Sequence, residues 1–376
     1  MNARERYVKT LTFGQPDKIP LMPGHPRKST IERWQAEGLP VGMDHLEYVF
    51  GTLGVPYDKA PSSTDEFFVS FIMNPTFEEK VLRHENGHYI VRDWMGAITE
   101  ISDEFDYTYI RKAIDFVTRK WHKFPVETRE DWEKMRLRYD AEDPARLPAN
   151  LAEIGKKLDD RAFPITVSVN GPFWQLREWM GMENLCIAFL DDPGLVSDMI
   201  DFWCGFVLKL LKKFLPHVRI DRLHISEDMA YKAHSMISPE MTREFLQPVY
   251  EKWVAVLREY QVPVIDMDSD GYIEQLIPIW IDSGINACDP IEVAAHNDIV
   301  KYRKMFGKRM AYNGGIDKRA IAAGGDILKR EVLRVVPPLL QEGGFIPGCD
   351  HGVPPDISLA NYTEYTRMLA ELTGWL

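Results

Sequence analysis

The sequence contains few cysteines and no concentration of basic residues. Its 376 residues include four cysteines, which lie far apart and form no Cys-x-x-Cys pair. This density is too low for a disulfide-bonded scaffold, so we expect free thiols. Lysine and arginine number 45 against 57 acidic residues, which gives a formal net charge of −12, and they are scattered along the chain. A phosphate backbone is therefore excluded as the main partner, and we expect no binding of nucleic acid.

Long apolar segments are also absent. Residues 1–20 have no apolar core of signal-peptide length, and no stretch reaches the ~20 apolar residues that a membrane-spanning helix needs. No Gly/Ser-rich or low-complexity linker interrupts the chain. We therefore expect a cytoplasmic protein that does not enter a membrane and that folds as one domain over residues 1–376.

Short apolar runs alternate with helical patterns from about residue 160 onward. This alternation is typical of a parallel sheet covered by helices. The runs are residues 163–169, 222–226, 262–268, 285–289, 309–315 and 344–350. The chain is long enough for one large α/β barrel, which commonly takes about 250 residues plus insertions. We predict an α/β fold of the (β/α)₈ TIM-barrel type.

Other local patterns predict an insertion and several helix boundaries. Residues 67–125 contain two or three alternating segments around the turn Glu85-Asn86-Gly87, which predicts an antiparallel β insertion in the N-terminal part. Ser238 is expected to cap the helix that follows it. A helix within residues 324–344 is expected to break or bend near Pro337 and Pro338.

The stretch VPVIDMDSDGYIEQL places Asp266, Asp268 and Asp270 at alternate positions, as in a calcium-binding EF-hand loop. An EF-hand also needs a preceding helix and a glutamate at the twelfth position of the loop, where this chain has Ile277. We therefore interpret the stretch as a barrel strand that runs into its loop. Since side chains two residues apart point the same way, Asp268 and Asp270 would face the barrel mouth, with Asp266 deeper.

The other predicted strands also end in polar residues, which a purely structural strand would not need. These residues include Asn170, Trp174, Arg177, Ser226, Glu227, Asp228, Asp289, Asn313, Asp317, Cys349, Asp350 and His351. One interpretation is an active site at the strand ends. The other is that about half of the carboxylates solvate loops or cap helices. We expect that structural role for Asp289 and Asp317, and His224 is either a ligand or a satisfied core histidine.

Several longer segments resemble the uroporphyrinogen decarboxylase superfamily over nearly the whole chain. They are residues 5–24, 223–253, 268–292, 312–318 and 348–365. The resemblance implies one of two chemistries. One is cofactor-free decarboxylation of the acetate groups of uroporphyrinogen. The other is zinc-dependent methyl transfer between a corrinoid protein and a thiol or another acceptor.

The sequence departs from the decarboxylase pattern where the substrate would bind. True decarboxylases carry a Met-Arg-Gln-Ala-Gly-Arg segment whose arginines bind carboxylates, whereas residues 22–34 offer only Arg27 and Arg33. Because uroporphyrinogen is a polyanion, a site with few arginines in an acidic protein is electrostatically unsuited to it. The resemblance is therefore closer to the corrinoid-dependent methyltransferase branch.

That branch binds zinc through a His-x-Cys pair and a second cysteine. With the shared Gly271 in register, Asp268 and Asp270 stand at the His and Cys positions, and Cys349 keeps the second cysteine position. The resemblance thus implies a divalent metal held by Asp268, Asp270 and Cys349, with Glu227 or His351 as the fourth ligand. Zinc is the expected ion, although oxygen-rich sites also suit harder metals.

The resulting hypothesis is a methyltransferase of anaerobic metabolism. One partner in the methyl transfer would be a corrinoid carried by another protein. The other would be a thiol or a small methylated substrate, for example a methoxylated aromatic. The expected catalytic residues are Glu227, Asp228, Asp268 and His351. The expected substrate-binding residues are Asn170, Trp174, Arg177, Tyr231, Tyr272, Asn313 and Arg27. For the aromatic residues, which include Trp179 and Tyr312, the alternative is packing in the core.

Two other functions stay open at this point. A metal-independent decarboxylase or lyase would use one of several neighbouring carboxylates as a general acid, because they cannot all ionise at low cost. A non-catalytic binding protein would keep the barrel scaffold without the chemistry. The sequence does not specify the methyl donor, the acceptor or the oligomeric state.

Overall fold

The structure, a computed structural model, describes residues 1–57, 66–105 and 118–376. The chain divides into two compact units. The first contains Met1–Phe68, Asn150–Val169 and Phe214–Leu376, and the second contains Val69–Ala149 and Asn170–Lys213. A single domain with an insertion stays a prediction.

Strands and helices alternate through most of the described chain. Its strands are β1 Lys80–Glu85, β2 His88–Arg92, β3 Ile98–Ser102, β4 Arg119–Lys123, β5 Thr166–Asn170, β6 Arg222–Ser226, β7 Val264–Asp268, β8 Ala287–Asp289, β9 Ala311–Ile316 and β10 Phe345–Cys349. Its α-helices are Ala3–Leu11, Lys28–Ala36, His45–Leu53, Arg129–Met135, Leu151–Leu158, Pro172–Met180, Met182–Asp191, Pro193–Phe214, Pro239–Met241, Gln247–Glu259, Ile277–Asp282, Ile299–Phe306, Lys318–Ala323, Gly325–Glu342 and Leu359–Thr373. A π-helical segment, Thr242–Leu246, joins two of them.

A six-stranded parallel sheet forms the centre of the fold, in the order β10-β9-β8-β7-β6-β5. Each of its strands coincides with one of the apolar runs that the sequence predicts, so the strand-helix alternation is confirmed. The strands from β6 to β10 pair in sequence order, as successive βα units do. A closed eight-stranded barrel stays a prediction, because the described sheet has six strands.

The N-terminal helix Ala3–Leu11 covers the edge of the sheet where the strands begin. Asn2 caps this helix, since its side chain accepts a hydrogen bond from the Glu5 backbone N–H. On the buried side, Tyr7 and Leu11 form one apolar cluster with residues at the starts of β7, β8, β9 and β10, namely Val264, Ala287, Ala311 and Ile346. Apolar packing therefore covers the starts of these four strands, whereas Arg4 of the same helix pairs with Asp221, which precedes β6.

The predicted helix boundaries are partly right. Ser238 caps its helix by accepting a hydrogen bond from the Met241 N–H, and Asp317 caps Lys318–Ala323 by accepting one from the Arg319 N–H. The helix Gly325–Glu342 is continuous with Pro337 and Pro338 inside it, so the expected break is wrong, and the alternative of a bend there stays a prediction. Its buried apolar face offsets the backbone hydrogen bonds that proline removes. That face consists of Leu328, Val332, Val335, Val336 and Leu339.

The second unit contains the antiparallel sheet that the sequence predicts. Four strands pair in the order β1-β2-β3-β4. Asn86 and Gly87 have φ angles of 52° and 73°, so they turn the chain between β1 and β2 in the left-handed conformation that Asn-Gly favours. In the same unit Trp179 is fully buried and donates a hydrogen bond to the Tyr139 hydroxyl at 2.9 Å. Trp179 is therefore a core residue.

None of the described helices combines the length and the apolar character needed to cross a membrane.

We predict that Leu11→Ala destabilises the protein by about 2–5 kcal/mol, the usual effect of truncating a buried leucine. Leu11 is 3% exposed and packs against the starts of the strands. The free energy of unfolding in urea measures the effect. Val8→Ala on the same helix is the matched control, since Val8 is only partly buried. Equal losses in the two variants would show that this helix does not cover the core.

Candidate active site

A cavity of about 470 Å³ opens where the strands of the parallel sheet end. Asp268, Asp289 and Cys349 are the last residues of β7, β8 and β10, and all three line it. The other lining residues are Leu21, Met22, Pro23, Gly24, His25, Leu46, Asp270, Pro290, Asn313, Gly314, Gly348, His351 and Gly352. The cavity therefore lies at the edge where the sequence analysis places an active site, and its size is typical of a small-molecule pocket.

Two glycines in the cavity wall have no room for a side chain. Gly24 has a φ angle of +117°, and a Cβ atom there would lie 3.0 Å from the Cβ of Cys349. Gly314 has a φ angle of +93°, and its Cβ would lie 2.5 Å from the Pro290 carbonyl oxygen. Because L-residues rarely adopt such φ angles, both positions need glycine to keep the cavity open.

Charged side chains on β6, β7 and β8 lie beneath the cavity, and most of them are partly buried. The strand register places His224 beside Asp266, and Asp268 beside Asp289. The Arg222 guanidinium donates hydrogen bonds to both oxygens of Asp266, and to Oδ2 of Asp289 at 2.8 Å. This arginine therefore joins the carboxylates of two neighbouring strands.

His224 sits within the same group. Its Nδ1 lies 3.0 Å from Oδ2 of Asp266 and 2.8 Å from a nitrogen of Arg222, and its Nε2 lies 3.6 Å from Oδ2 of Asp268. Burial lowers the pKa of His224, but Asp266 outweighs it and raises the pKa to about 10. The ring is therefore cationic at neutral pH in the metal-free protein.

The pKa values of Asp266 and Asp289 are shifted in opposite directions. Burial alone would raise the pKa of Asp266, but the Arg222 and His224 charges hold it well below its usual range. For Asp289, burial outweighs Arg222 and raises the pKa to about 6, and the Asp266 charge adds to the rise. Asp289 caps none of the described helices, because it ends β8 at the cavity, and the structural role expected for it stays a prediction.

His351 and Asp270 line another part of the cavity, and Arg27 contacts His351 from outside the described lining. His351 Nε2 lies 3.0 Å from Oδ2 of Asp270, and its Nδ1 lies 3.4 Å from a guanidinium nitrogen of Arg27. Because arginine can only donate, Nδ1 is the acceptor in this contact, and the ring proton of a neutral His351 is on Nε2. The hydrogen bond to Asp270 raises the pKa of His351, against the effect of burial.

The remaining residues that the resemblance implies as ligands or catalysts differ in their surroundings. Cys349 is buried, and burial together with Asp350 raises the pKa of its thiol to about 12. Glu227 is fully buried, accepts a hydrogen bond from the Tyr250 hydroxyl and is not among the described lining residues. Asp228 has a φ angle of 38°, and its backbone N–H donates to the Asp268 carbonyl.

Among the residues that the structure describes, one group of three or more candidate ligands has its ligand atoms within 4.8 Å of one another. It consists of His224, Asp268 and Asp289. The group shares Asp268 with the ligand set that the resemblance implies. Asp270, Cys349 and Glu227 lie outside it.

The residues expected to bind substrate lie in different places. Asn313 lines the cavity, and its Nδ2 lies 3.4 Å from Oδ2 of Asp289. Arg27 contacts His351, as described above. Tyr231, which is half exposed, and Tyr272 are joined by a backbone hydrogen bond, and neither is among the described lining residues. Tyr312 is fully buried, so it packs in the core.

Asn170, Trp174 and Arg177 belong to the second unit and gather around a carboxyl group. The Glu178 side chain accepts hydrogen bonds from Asn170 Nδ2 at 3.2 Å and from Trp174 Nε1 at 2.9 Å. The Arg177 guanidinium lies 4.0 Å from the centre of the Trp174 ring. Burial raises the pKa of Glu178, which the sequence analysis did not single out.

Sequence reasoning also missed Arg222 and left His224 undecided. The available signal was a charged residue at each of two alternate positions of the otherwise apolar run RLHIS. Side chains two residues apart in a strand share a face, so both belong on the polar side with Asp266 and Asp268 of the next strand. That pairing required the order of the strands.

Comparisons with known proteins give a family match and a fold match. The model of the family described as uroporphyrinogen decarboxylase (URO-D) matches residues 113–372. No match is found among curated proteins. A methyltransferase from Methanosarcina mazei matches with a TM-score of 0.56 at 14% sequence identity, over 99% of each chain, which shows a shared fold. A Listeria monocytogenes protein, provisionally described as a vitamin-B12 independent methionine synthase, matches 60% of this chain and 67% of its own at 10% identity. Its TM-score of 0.35 supports no argument.

We predict that His224 makes stability depend on pH in the metal-free protein. The pKa of about 10 in the folded state exceeds that of an unfolded histidine, about 6.5. The contribution of His224 to the free energy of unfolding is therefore fully present below about pH 6.5 and is lost as the pH rises toward 10. Unfolding free energies of wild type and His224→Gln, measured in chelator between pH 6 and pH 10, should converge as the pH rises. His84→Gln is the control, since His84 is exposed. If the difference in unfolding free energy between wild type and His224→Gln did not change with pH, the raised pKa assigned to His224 would be contradicted.

Proposed function

The chain belongs to the uroporphyrinogen decarboxylase (URO-D) family, and we propose that this member transfers a methyl group between a small methylated substrate and a corrinoid held by a partner protein. The observation that carries the proposal is the charge of the cavity. Asp268, Asp270 and Asp289 line it, and its described lining includes no lysine or arginine. Because a polyanionic tetrapyrrole needs cationic partners, this lining favours a small substrate that is not an anion.

The lining also separates apolar from polar groups, as a methylated substrate requires. Leu21, Met22, Pro23 and Leu46 offer an apolar surface for the carbon skeleton of the substrate. Asn313 and the carboxylates at the strand ends provide polar contacts. The volume of about 470 Å³ suits a ligand with one aromatic ring better than a tetrapyrrole. Likeness to the Methanosarcina mazei methyltransferase supports the same reaction class through its fold.

Removing a methyl group from an ether leaves negative charge on the oxygen, which must gain a proton. In the cavity wall His351 holds a proton on Nε2, directed at Asp270, and Arg27 fixes the other ring nitrogen. We assign to Asp270 and His351 the delivery of a proton to the leaving oxygen. A reduced corrinoid, when bound, supplies the nucleophile that accepts the methyl group. A divalent metal, when bound, supplies Lewis-acid activation of the oxygen.

Decarboxylation is the second candidate, and Asp289 favours it. A carboxylic acid with a pKa of about 6, placed at a cavity, can supply the proton that replaces carbon dioxide. This reaction would need neither a corrinoid nor a metal. Glu227 and Asp228, which were expected to take part in catalysis, stay predictions in either reaction.

We predict methyl transfer to free cob(I)alamin from at least one member of a panel of methoxylated aromatics and methylated thiols. The visible spectrum of the corrinoid follows the reaction, and chromatography identifies methylcobalamin and the demethylated product. Methylcobalamin with thiol acceptors tests the reverse direction. Heat-denatured protein is the control. Release of carbon dioxide from small carboxylic acids, with no methyl transfer across the panel, would instead support the decarboxylase.

We predict that Asp270→Asn lowers kcat for this methyl transfer by about 10²–10⁴-fold, the usual contribution of a positioned proton donor or acceptor. His351→Gln should lower kcat as well, because the amide cannot supply the proton. Initial rates over a range of pH measure the effect. Asp317→Asn is the matched control, since Asp317 caps a helix and asparagine caps equally well. A wild-type rate for Asp270→Asn would refute the assignment.

A further inference from the structure

We propose that His224, Asp268 and Asp289 bind one divalent metal ion at the base of the cavity. These residues come from β6, β7 and β8, and their ligand atoms all lie within 4.8 Å of one another. The proposal does not rest on methyl transfer, because it concerns the presence and position of an ion. It also differs from the ligand set that the resemblance implies, with which it shares only Asp268.

The orientation of His224 is that of a metal ligand. Its Nδ1 lies 3.0 Å from Oδ2 of Asp266 and 2.8 Å from a nitrogen of Arg222, and its Nε2 lies 3.6 Å from Oδ2 of Asp268. Histidines that bind metals usually donate their other ring N–H to a carboxylate in this way. Two ligands on one tetrahedral ion, each bonded at about 2.0–2.2 Å, lie about 3.4 Å apart. The Nε2 to Oδ2 separation is therefore close to the distance that a shared ion requires.

Asp289 supplies an independent observation. Its Oδ2 is held by Arg222 at 2.8 Å and by Asn313 at 3.4 Å. Its Oδ1 is buried and has no hydrogen-bond partner. A buried carboxylate oxygen without a partner is costly, and an ion shared with His224 and Asp268 would satisfy it. Nδ1 of His224 lies 4.0 Å from this oxygen, which is beyond hydrogen-bond distance.

The charges around the group balance when an ion is present. A divalent ion and the Arg222 guanidinium together carry three positive charges. Asp266, Asp268 and Asp289 together carry three negative charges when ionised. Arg222 is thus neutralised by carboxylates that also hold the ion, so its proximity does not exclude a cation.

The donor set indicates which ions fit. One imidazole and two carboxylates suit Zn²⁺, Co²⁺ or Mn²⁺ better than Ca²⁺ or Mg²⁺, which prefer oxygen ligands alone. Three protein ligands leave a coordination position free, as in catalytic zinc sites. Because Asp268 and Asp289 line the cavity, a ligand in the cavity can take that position.

Titration of chelator-treated protein with Zn²⁺, followed by calorimetry, tests the site. We expect one ion per chain. We also expect Co²⁺ to give the visible absorption of a low-symmetry site. His224→Ala and Asp289→Asn should each weaken Zn²⁺ binding by more than about 100-fold, beyond the 10–100-fold expected for Asp266→Asn, which only orients the histidine. A wild-type protein that binds no ion under these conditions would overturn the proposal.

Matched variants distinguish this site from the set that the resemblance implies. Cys349→Ser and Asp270→Asn should keep the wild-type affinity for Zn²⁺ within a few-fold. Loss of binding in these two variants, with retention in Asp289→Asn, would place the ion elsewhere and refute the proposal. Circular dichroism and thermal unfolding check that each variant folds. Asp268→Asn serves where His224→Ala does not fold, because Asp268 is partly exposed and its substitution disturbs the core less.

Discussion

The largely buried Arg222 guanidinium is the constraint on which the site depends. A cation beneath the cavity must be neutralised where little water reaches it, and Asp266 and Asp289 do this from two neighbouring strands. The need to neutralise Arg222 therefore sets the orientation of both carboxylates. Asp266 then contacts Nδ1 of His224, and Asp289 binds Arg222 through one oxygen while its other oxygen makes no hydrogen bond. One arginine thereby organises side chains from three strands.

The two edges of the parallel sheet differ in chemistry, and the N-terminal helix explains part of the difference. Tyr7 and Leu11 cover the starts of β7 to β10 with apolar groups, whereas charged residues lie at the start of β6, where Arg4 pairs with Asp221. At the other edge the strands end in carboxylates, a thiol and glycines that cannot carry side chains. Polar residues can collect there because a cavity of about 470 Å³ gives them access to solvent and ligand.

The chain keeps the fold of its family while changing the residues that face the cavity. The resemblance implies that Asp268 and Asp270 take the positions of nitrogen and sulfur ligands in the methyltransferase branch, and the described cavity lining has no arginine for a tetrapyrrole. The structure gives these two carboxylates different neighbours. Asp268 faces His224 and Asp289, whereas Asp270 faces His351. Ion binding and proton transfer can therefore belong to adjacent but separate parts of one site.

The sequence by itself determined the strands of the parallel sheet, the Asn86-Gly87 turn, the Ser238 and Asp317 caps and the polar strand ends. Each of these depends on residues close together in the chain, through alternation, turn chemistry or capping. Only the tertiary structure decided which carboxylate meets which partner. Alternation places Asp266 and Asp268 on one face of a strand, but strand order and register bring His224 and Asp289 to them from neighbouring strands. Those contacts join residues far apart in the chain, so no local pattern encodes them.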